Sequence, residues 1–127
     1  MAKVRVLVVD DCEPFRQFIS SRLTCRDDVQ IIGEVSDGLE AVQKVGELHP
    51  DLILLDIGLP TINGIEVARR INKLYPKSKI LFLSQESSAD VVREALGAGA
   101  LGYVVKDDAA NALLTAMNSV LRIQMSP

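Results

Sequence analysis

A single α/β domain, with a parallel sheet covered by helices on both faces, is the fold class this sequence predicts, and three observations predict it. The chain has 127 residues, a common size for one hydrophobic core. Five apolar runs of strand length alternate with five segments of helical period, the pattern of parallel strands joined by right-handed crossovers. No Gly/Ser/Pro-rich linker or low-complexity tract interrupts the alternation, so one domain is expected over residues 1–127.

The first run, Val4 to Val9, is followed by Phe15, Phe18, Ile19 and Leu23 at helical spacing. The second, Val29 to Val35, precedes Val42, Val45 and Leu48, and Asp37 with Glu40 stands ahead of them as a capping box. A second such box, Asn63 with Glu66, separates the third run, Leu52 to Leu55, from Ile65, Ala68, Ile71 and Leu74. The fourth run, Ile80 to Leu83, leads to Val91, Val92, Ala95 and Leu96, after which Gly97, Gly99 and Gly102 mark a helix stop and a turn. The fifth, Gly102 to Val105, passes Asp107 and Asp108, either of which can cap a helix carrying Ala110, Leu113, Leu114, Met117, Val120 and Leu121. VLVV and LILL lack polar alternation, so both are expected in central strands buried on two faces.

Hydrophobic residues make up 48% and charged residues 24% of the chain, the balance of a folded globule. The apolar runs fall far short of the roughly 18 residues a membrane span needs, and MAKVRVLVV has no small-residue cleavage site behind it. No membrane association and a cytoplasmic location are therefore expected. Fourteen Lys+Arg against seventeen Asp+Glu leave a net charge of -3. The basic residues are scattered, which argues against direct nucleic-acid binding. Cys12 and Cys25 fall near opposite ends of one helix, about 20 Å apart, too far for a disulfide. With His49 as the single histidine, a four-ligand zinc site is excluded too. His49 precedes the third strand and reads as a loop residue.

In an open parallel sheet, ligands bind beyond the carboxyl ends of the strands. At those ends stand Asp10 and Asp11, Asp56, Ser84 and Lys106. Three carboxylates held together repel unless a cation joins them. An all-oxygen set suits a hard cation, and a loosely built site that keeps several waters suits Mg2+ better than Ca2+. Such a cation would neutralise a phosphoryl group while Lys106 and Ser84 contact its other oxygens. Asp56 closes LILL where the backbone turns, and exposure there suits a nucleophile.

Together, Asp10 and Asp11, Asp56 within PDLILLDIGLPTINGIE, Ser84, and GYVVKD with Tyr103 and Lys106 resemble the receiver domain of bacterial two-component response regulators. The resemblance covers essentially the whole chain, and EALGAGALGYVVKDD is most similar to the NarL/FixJ-type (LuxR) subfamily. It implies a CheY-like, flavodoxin-like (βα)5 three-layer sandwich with strand order 2-1-3-4-5. It also implies Asp56 as phosphoacceptor and Mg2+ held by Asp11, Asp56 and the Gly58 carbonyl, with Asp10 acting through water. Lys106 becomes the ion-pair partner of the phosphate, and Ser84 with Tyr103 the switch pair. Phosphorylation is then expected to draw the Ser84 hydroxyl inward, let the Tyr103 ring follow, and alter the face made by the fourth helix, fifth strand and fifth helix.

The implied partners are a sensor histidine kinase and, on phosphorylation, a second copy of the chain; a DNA-binding output domain usually follows such receivers. The chain is not expected to be an enzyme acting on a separate substrate, though it assists its own phosphorylation and dephosphorylation. Ser84 stands where Thr is more frequent, Gln85 where many members carry a small residue, and Asp107 where many have a cis proline, so a trans Lys106-Asp107 bond is expected. An FMN or nucleotide module would need a Gly- or Ser/Thr-rich phosphate loop in place of DDCEP. A haloacid-dehalogenase-like phosphatase would need Asp-x-Asp. A receiver that no longer accepts phosphate and serves as a docking or dimerisation module is the remaining alternative.

Overall fold

The computed structural model describes residues 3–125. Its five strands are β1 (Val4–Val9), β2 (Val29–Val35), β3 (Leu52–Leu55), β4 (Lys79–Ser84) and β5 (Gly102–Val105). They pair in parallel in the order β2-β1-β3-β4-β5, the order expected. LILL is the middle strand, with all four residues buried. Between and after the strands run α1 (Glu13–Leu23), α2 (Gly38–Leu48), α3 (Gly64–Leu74), α4 (Ala89–Gly97) and α5 (Ala109–Met125). No helix among the described residues is long and apolar enough to cross a membrane.

The two-residue period of the strands sorts the core into two layers. Leu7 and Val9, Ile53 and Leu55, and Ile80 and Phe82 join a cluster with Val45, Ile65, Ala68 and Ile71 of α2 and α3. Val6 and Val8, Leu52 and Leu54, and Leu81 and Leu83 join Ile19 and Leu23 of α1 and Leu113, Met117 and Val120 of α5 on the other face. Each inner strand thus contributes alternate side chains to both layers, which is why its sequence is apolar throughout.

Helix starts follow local chemistry. Asp37 accepts from the Glu40 amide and Asn63 from the Glu66 amide, each at 3.0 Å, as the sequence indicates. Glu66 does not reach back to complete its box; its carboxylate pairs with Arg69 and Arg70 instead. Ser88 caps α4 through the Val91 amide at 3.2 Å. Lys106–Asp108 wind into a 3-10 turn ahead of α5, where the sequence suggested only a capping aspartate. The Lys106-Asp107 bond is trans, and Gly99, at φ 112°, makes the turn after α4. Leu74 and Leu96, which fit the helical periods of α3 and α4, are 56% and 43% exposed. Each lies at the last turn of its helix, beyond the reach of the sheet.

Candidate phosphoacceptor site

Register brings the polar residues together. Val9 pairs with Leu55 across β1 and β3, so Asp10 and Asp56 both follow the same rung, and the Asp56 amide donates to the Val9 carbonyl at 3.0 Å. Ser84 pairs with Val105, which sets Lys106 one residue past the end of β4. Asp11, Cys12, Asp56, Gly58, Ser84, Gln85, Glu86 and Lys106 line one cleft of about 220 Å³. The carboxylates of Asp10, Asp11 and Asp56 each offer an oxygen within 4.8 Å of the others.

Asp56 is more enclosed than its place at a turn suggested, with 8% exposure. Its Oδ1 accepts from the Ile57 amide at 2.7 Å and its Oδ2 from Lys106 Nζ at 3.1 Å. The same ammonium lies 2.8 Å from Asp10 Oδ2. Two of the three carboxylates are therefore already offset by one lysine, the same residue expected to pair with the phosphate. Asp10 Oδ1 accepts from the Cys12 amide at 2.8 Å. Asp11 is exposed, so its oxygens face water. Three carboxylates against one ammonium leave the cluster short of positive charge, and the donor set is all oxygen, so these residues fit a hard divalent cation.

Burial pushes the Asp10 carboxyl above its ordinary value, and the bonds from Lys106 and the Cys12 amide only partly oppose this. Burial acts on Lys106 in the lowering direction, but Asp10 and Asp56 outweigh it and hold the ammonium above the usual lysine value. For Asp10, at 2% exposure, the loss of hydration outweighs the pairing with Lys106.

Several contacts at the site had no signal in the sequence pattern. The Phe15 ring lies 4.4 Å under Lys106 Nζ, a cation–π contact that shields the ammonium on the α1 side. Arg16 donates to the Asp10 carbonyl at 2.6 Å and pairs with Glu34, tying the acid pair to β2. Ser84 Oγ accepts from the Glu86 amide at 3.2 Å, and the Tyr103 hydroxyl donates to the Glu86 carbonyl at 2.7 Å. Both candidate switch residues thus meet at Glu86. The Tyr103 ring already packs on Phe82 with centroids 5.9 Å apart. Burial raises the Tyr103 hydroxyl pKa, the adjacent Ser84 hydroxyl opposes this, and the charges of Glu86 and Asp56 add to it. His49 lies at the other end of the sheet, closing α2 at φ 49°, as its place in the sequence indicated.

Residues 6–118 match the family model described as the response regulator receiver domain. The transcriptional regulatory protein DegU of Brevibacillus brevis is 34% identical over 118 residues, 93% of this chain and 50% of that protein. The response regulator protein VraR of Staphylococcus aureus is 37% identical over 119 residues, 94% of this chain and 57% of that protein. The chain therefore spans about half the length of the curated relatives it matches. Among solved structures, a two-component response regulator of the LuxR family from Aurantimonas sp. SI85-9A1 superposes with a TM-score of 0.88 at 30% identity. That match covers 95% of this chain and 86% of the other.

Proposed function

The chain belongs to the response regulator receiver domain family, and from that premise we propose that Asp56 accepts a phosphoryl group from the phosphohistidine of a cytoplasmic sensor kinase. A carboxylate oxygen of Asp56 attacks phosphorus, the P–N bond breaks, and the imidazole leaves with the bonding pair and takes up a proton. The product is an acyl phosphate on Asp56. The observation that carries this reading is the convergence of Asp10, Asp11 and Asp56 within 4.8 Å on a cleft also lined by Ser84 and Lys106. Mg2+ is the cation the donor set suits; Asp11, Asp56 and the Gly58 carbonyl would hold it, with Asp10 behind them, and when bound it would offset phosphoryl charge. Lys106, fixed by Asp10 and Asp56, supplies a second positive charge to the phosphoryl oxygens.

The acyl phosphate carries about -1.5 to -2 charge in place of the single charge of the carboxylate, and brings new acceptor oxygens beside Ser84. Because Ser84 and Tyr103 both bond to Glu86, a shift of the Ser84 hydroxyl toward the phosphate moves the loop before α4 and the Tyr103 ring with it. The surface of α4, β5 and α5 changes accordingly, as a population shift between two packings. That surface then engages a second copy of the chain or an output domain. DegU is a transcriptional regulator by name, and this chain aligns with half of it, so control of a DNA-binding domain is the output we favour. The chain is a signalling phosphoacceptor that assists its own phosphorylation and dephosphorylation, with no separate substrate to turn over.

Intact-mass spectrometry after incubation with a small acyl phosphate tests the reading. One added phosphoryl group is expected with Mg2+, and none in Asp56→Asn or with chelator present. Uptake unaffected by Asp56→Asn overturns the assignment.

A further inference from the structure

We propose that Thr61 is a positioning residue for the cation site, holding the loop between β3 and α3 so that Gly58 is presented to the metal. This rests on the Mg2+ reading above and extends it to a residue that touches neither the cation nor the phosphoryl group.

Thr61 has φ 67°, the left-handed region that β-branched residues rarely enter. The Ile62 amide donates to the Pro60 carbonyl at 2.9 Å, which makes Thr61 the central residue of a positive-φ γ-turn, the rare and strained form. Glycine would adopt this conformation at lower cost. What threonine adds is its hydroxyl, which donates to the Pro60 carbonyl at 2.6 Å and accepts from the Leu39 amide at 3.1 Å. The Gly38 amide donates to the same Pro60 carbonyl at 3.1 Å, and a side chain at Gly38 would collide with the Ile62 carbonyl. Two amides of the first turn of α2, which no helical bond uses, are thereby spent on fastening the loop.

The loop has a second anchor at its neck, where the Ile57 carbonyl accepts from the Leu59 amide at 2.9 Å and the Gly64 amide at 2.7 Å. Gly58 sits inside the neck, spanned by the bond from the Leu59 amide to the Ile57 carbonyl; it is exposed, and a side chain added there would meet nothing within 4 Å. That backbone bond holds Gly58 locally, while the path of the loop beyond it is set by the Thr61 fastening, so loosening Thr61 widens the range of orientations open to the Gly58 carbonyl. Strain retained at a site poised for function, with its compensation in the surrounding bonds, is the pattern found here.

The test compares the parent with Thr61→Ser, Thr61→Ala and Thr61→Gly, using unphosphorylated protein and Mg2+ alone. Amide NMR titration at Gly58 and Asp11 gives affinity; urea unfolding gives stability. Thr61→Ser, which keeps the hydroxyl, should bind Mg2+ as the parent does. Thr61→Ala and Thr61→Gly should bind about two- to tenfold more weakly, because both bonds of the hydroxyl are lost and the part of their worth that holds Gly58 in place is felt by the cation. Thr61→Gly also releases the strained φ, so it should be no less stable than Thr61→Ala while binding as weakly. Parent-like affinity in Thr61→Gly overturns the role of Thr61 and leaves the cation reading standing. Affinity that merely tracks urea stability across the series reduces Thr61 to a structural residue and overturns it as well. A parent without saturable response at Gly58 and Asp11 sinks the cation reading itself.

Discussion

At the end of the sheet where the strands begin, Asp51 accepts from the Arg5 amide at 2.8 Å, and the Ser78 hydroxyl donates to the Pro50 carbonyl at 2.6 Å. These two residues and His49, Leu74, Tyr75 and Pro76 border a cavity of about 510 Å³. The end where the strands finish has a smaller cleft, about 220 Å³. There, however, one ammonium serves two carboxylates and a third carboxylate faces water. The lower end has the larger space, with Asp51 and Ser78 bonded to the main chain and the exposed Lys77 on its rim; the upper end has less space and gathers three carboxylates about one ammonium. Unsatisfied charge, more than volume, identifies the end at which chemistry is expected.

Substitution at the lower end should affect the fold and spare the chemistry. Asp51→Ala leaves the Arg5 amide without its partner, and about 1 to 3 kcal/mol of stability should be lost. Phosphoryl uptake at Asp56 should be unchanged, as urea unfolding and intact mass together would show. Loss of uptake in a still-folded Asp51→Ala would erase the contrast between the ends.

At the upper end, Mg2+ at about ten times its dissociation constant should add about 1.4 kcal/mol by linkage, visible as a rise of a few degrees in Tm. Asp11→Ala should lose most of that rise. An undiminished rise in the variant would place the cation elsewhere.

A smaller effect concerns Asp10. Its carboxyl is raised by burial, so the native state binds the proton more readily than the unfolded chain does. Stability therefore falls as pH rises from the unfolded value through the folded one. Asp10→Asn should remove that decline, since Asn can keep the bond from the Cys12 amide and Lys106 keeps Asp56. The variant should exceed the parent in stability at neutral pH, and the difference should close below about pH 4. Parallel stability curves for the two proteins across this range would contradict the assignment.

The smallest effect is expected from Phe15→Leu, which preserves apolar bulk and removes the ring under Lys106. A cation–π contact at the rim of an open cleft contributes about 0.5 to 1 kcal/mol, so phosphoryl uptake should slow by about two- to fivefold. The side-chain protons of Lys106 next to the ammonium should lose their upfield ring-current shift. Unchanged shifts would mean the ring and the lysine do not meet in solution.

Strand positions were legible because alternation and burial act within a few residues, and VLVV and LILL could satisfy them only in a sheet covered on both faces. Asp10, Asp11, Asp56, Ser84 and Lys106 were legible because each follows an apolar run. Phe15 was legible only as one apolar residue in a helical period; nothing in that period distinguished a ring facing Lys106 from one facing the core. Glu86 gave no signal because it takes part through its own backbone, whose amide and carbonyl bond to the Ser84 and Tyr103 side chains, and Thr61 gave none because its hydroxyl accepts from the amide of Leu39, which only the fold brings close.

The amino-acid sequence by itself determined the order of elements, the two-layer core and the strand ends at which acids, hydroxyl and lysine would stand, because hydrophobic period and capping are local properties. Tertiary structure alone decided that one lysine bridges Asp10 and Asp56, that Ser84 and Tyr103 share Glu86, and that α2 fastens the loop carrying Gly58. Those contacts depend on sheet register and on distances of 2.7 to 3.1 Å between segments far apart in the chain. A register shift of one residue would turn the side chains to the opposite face.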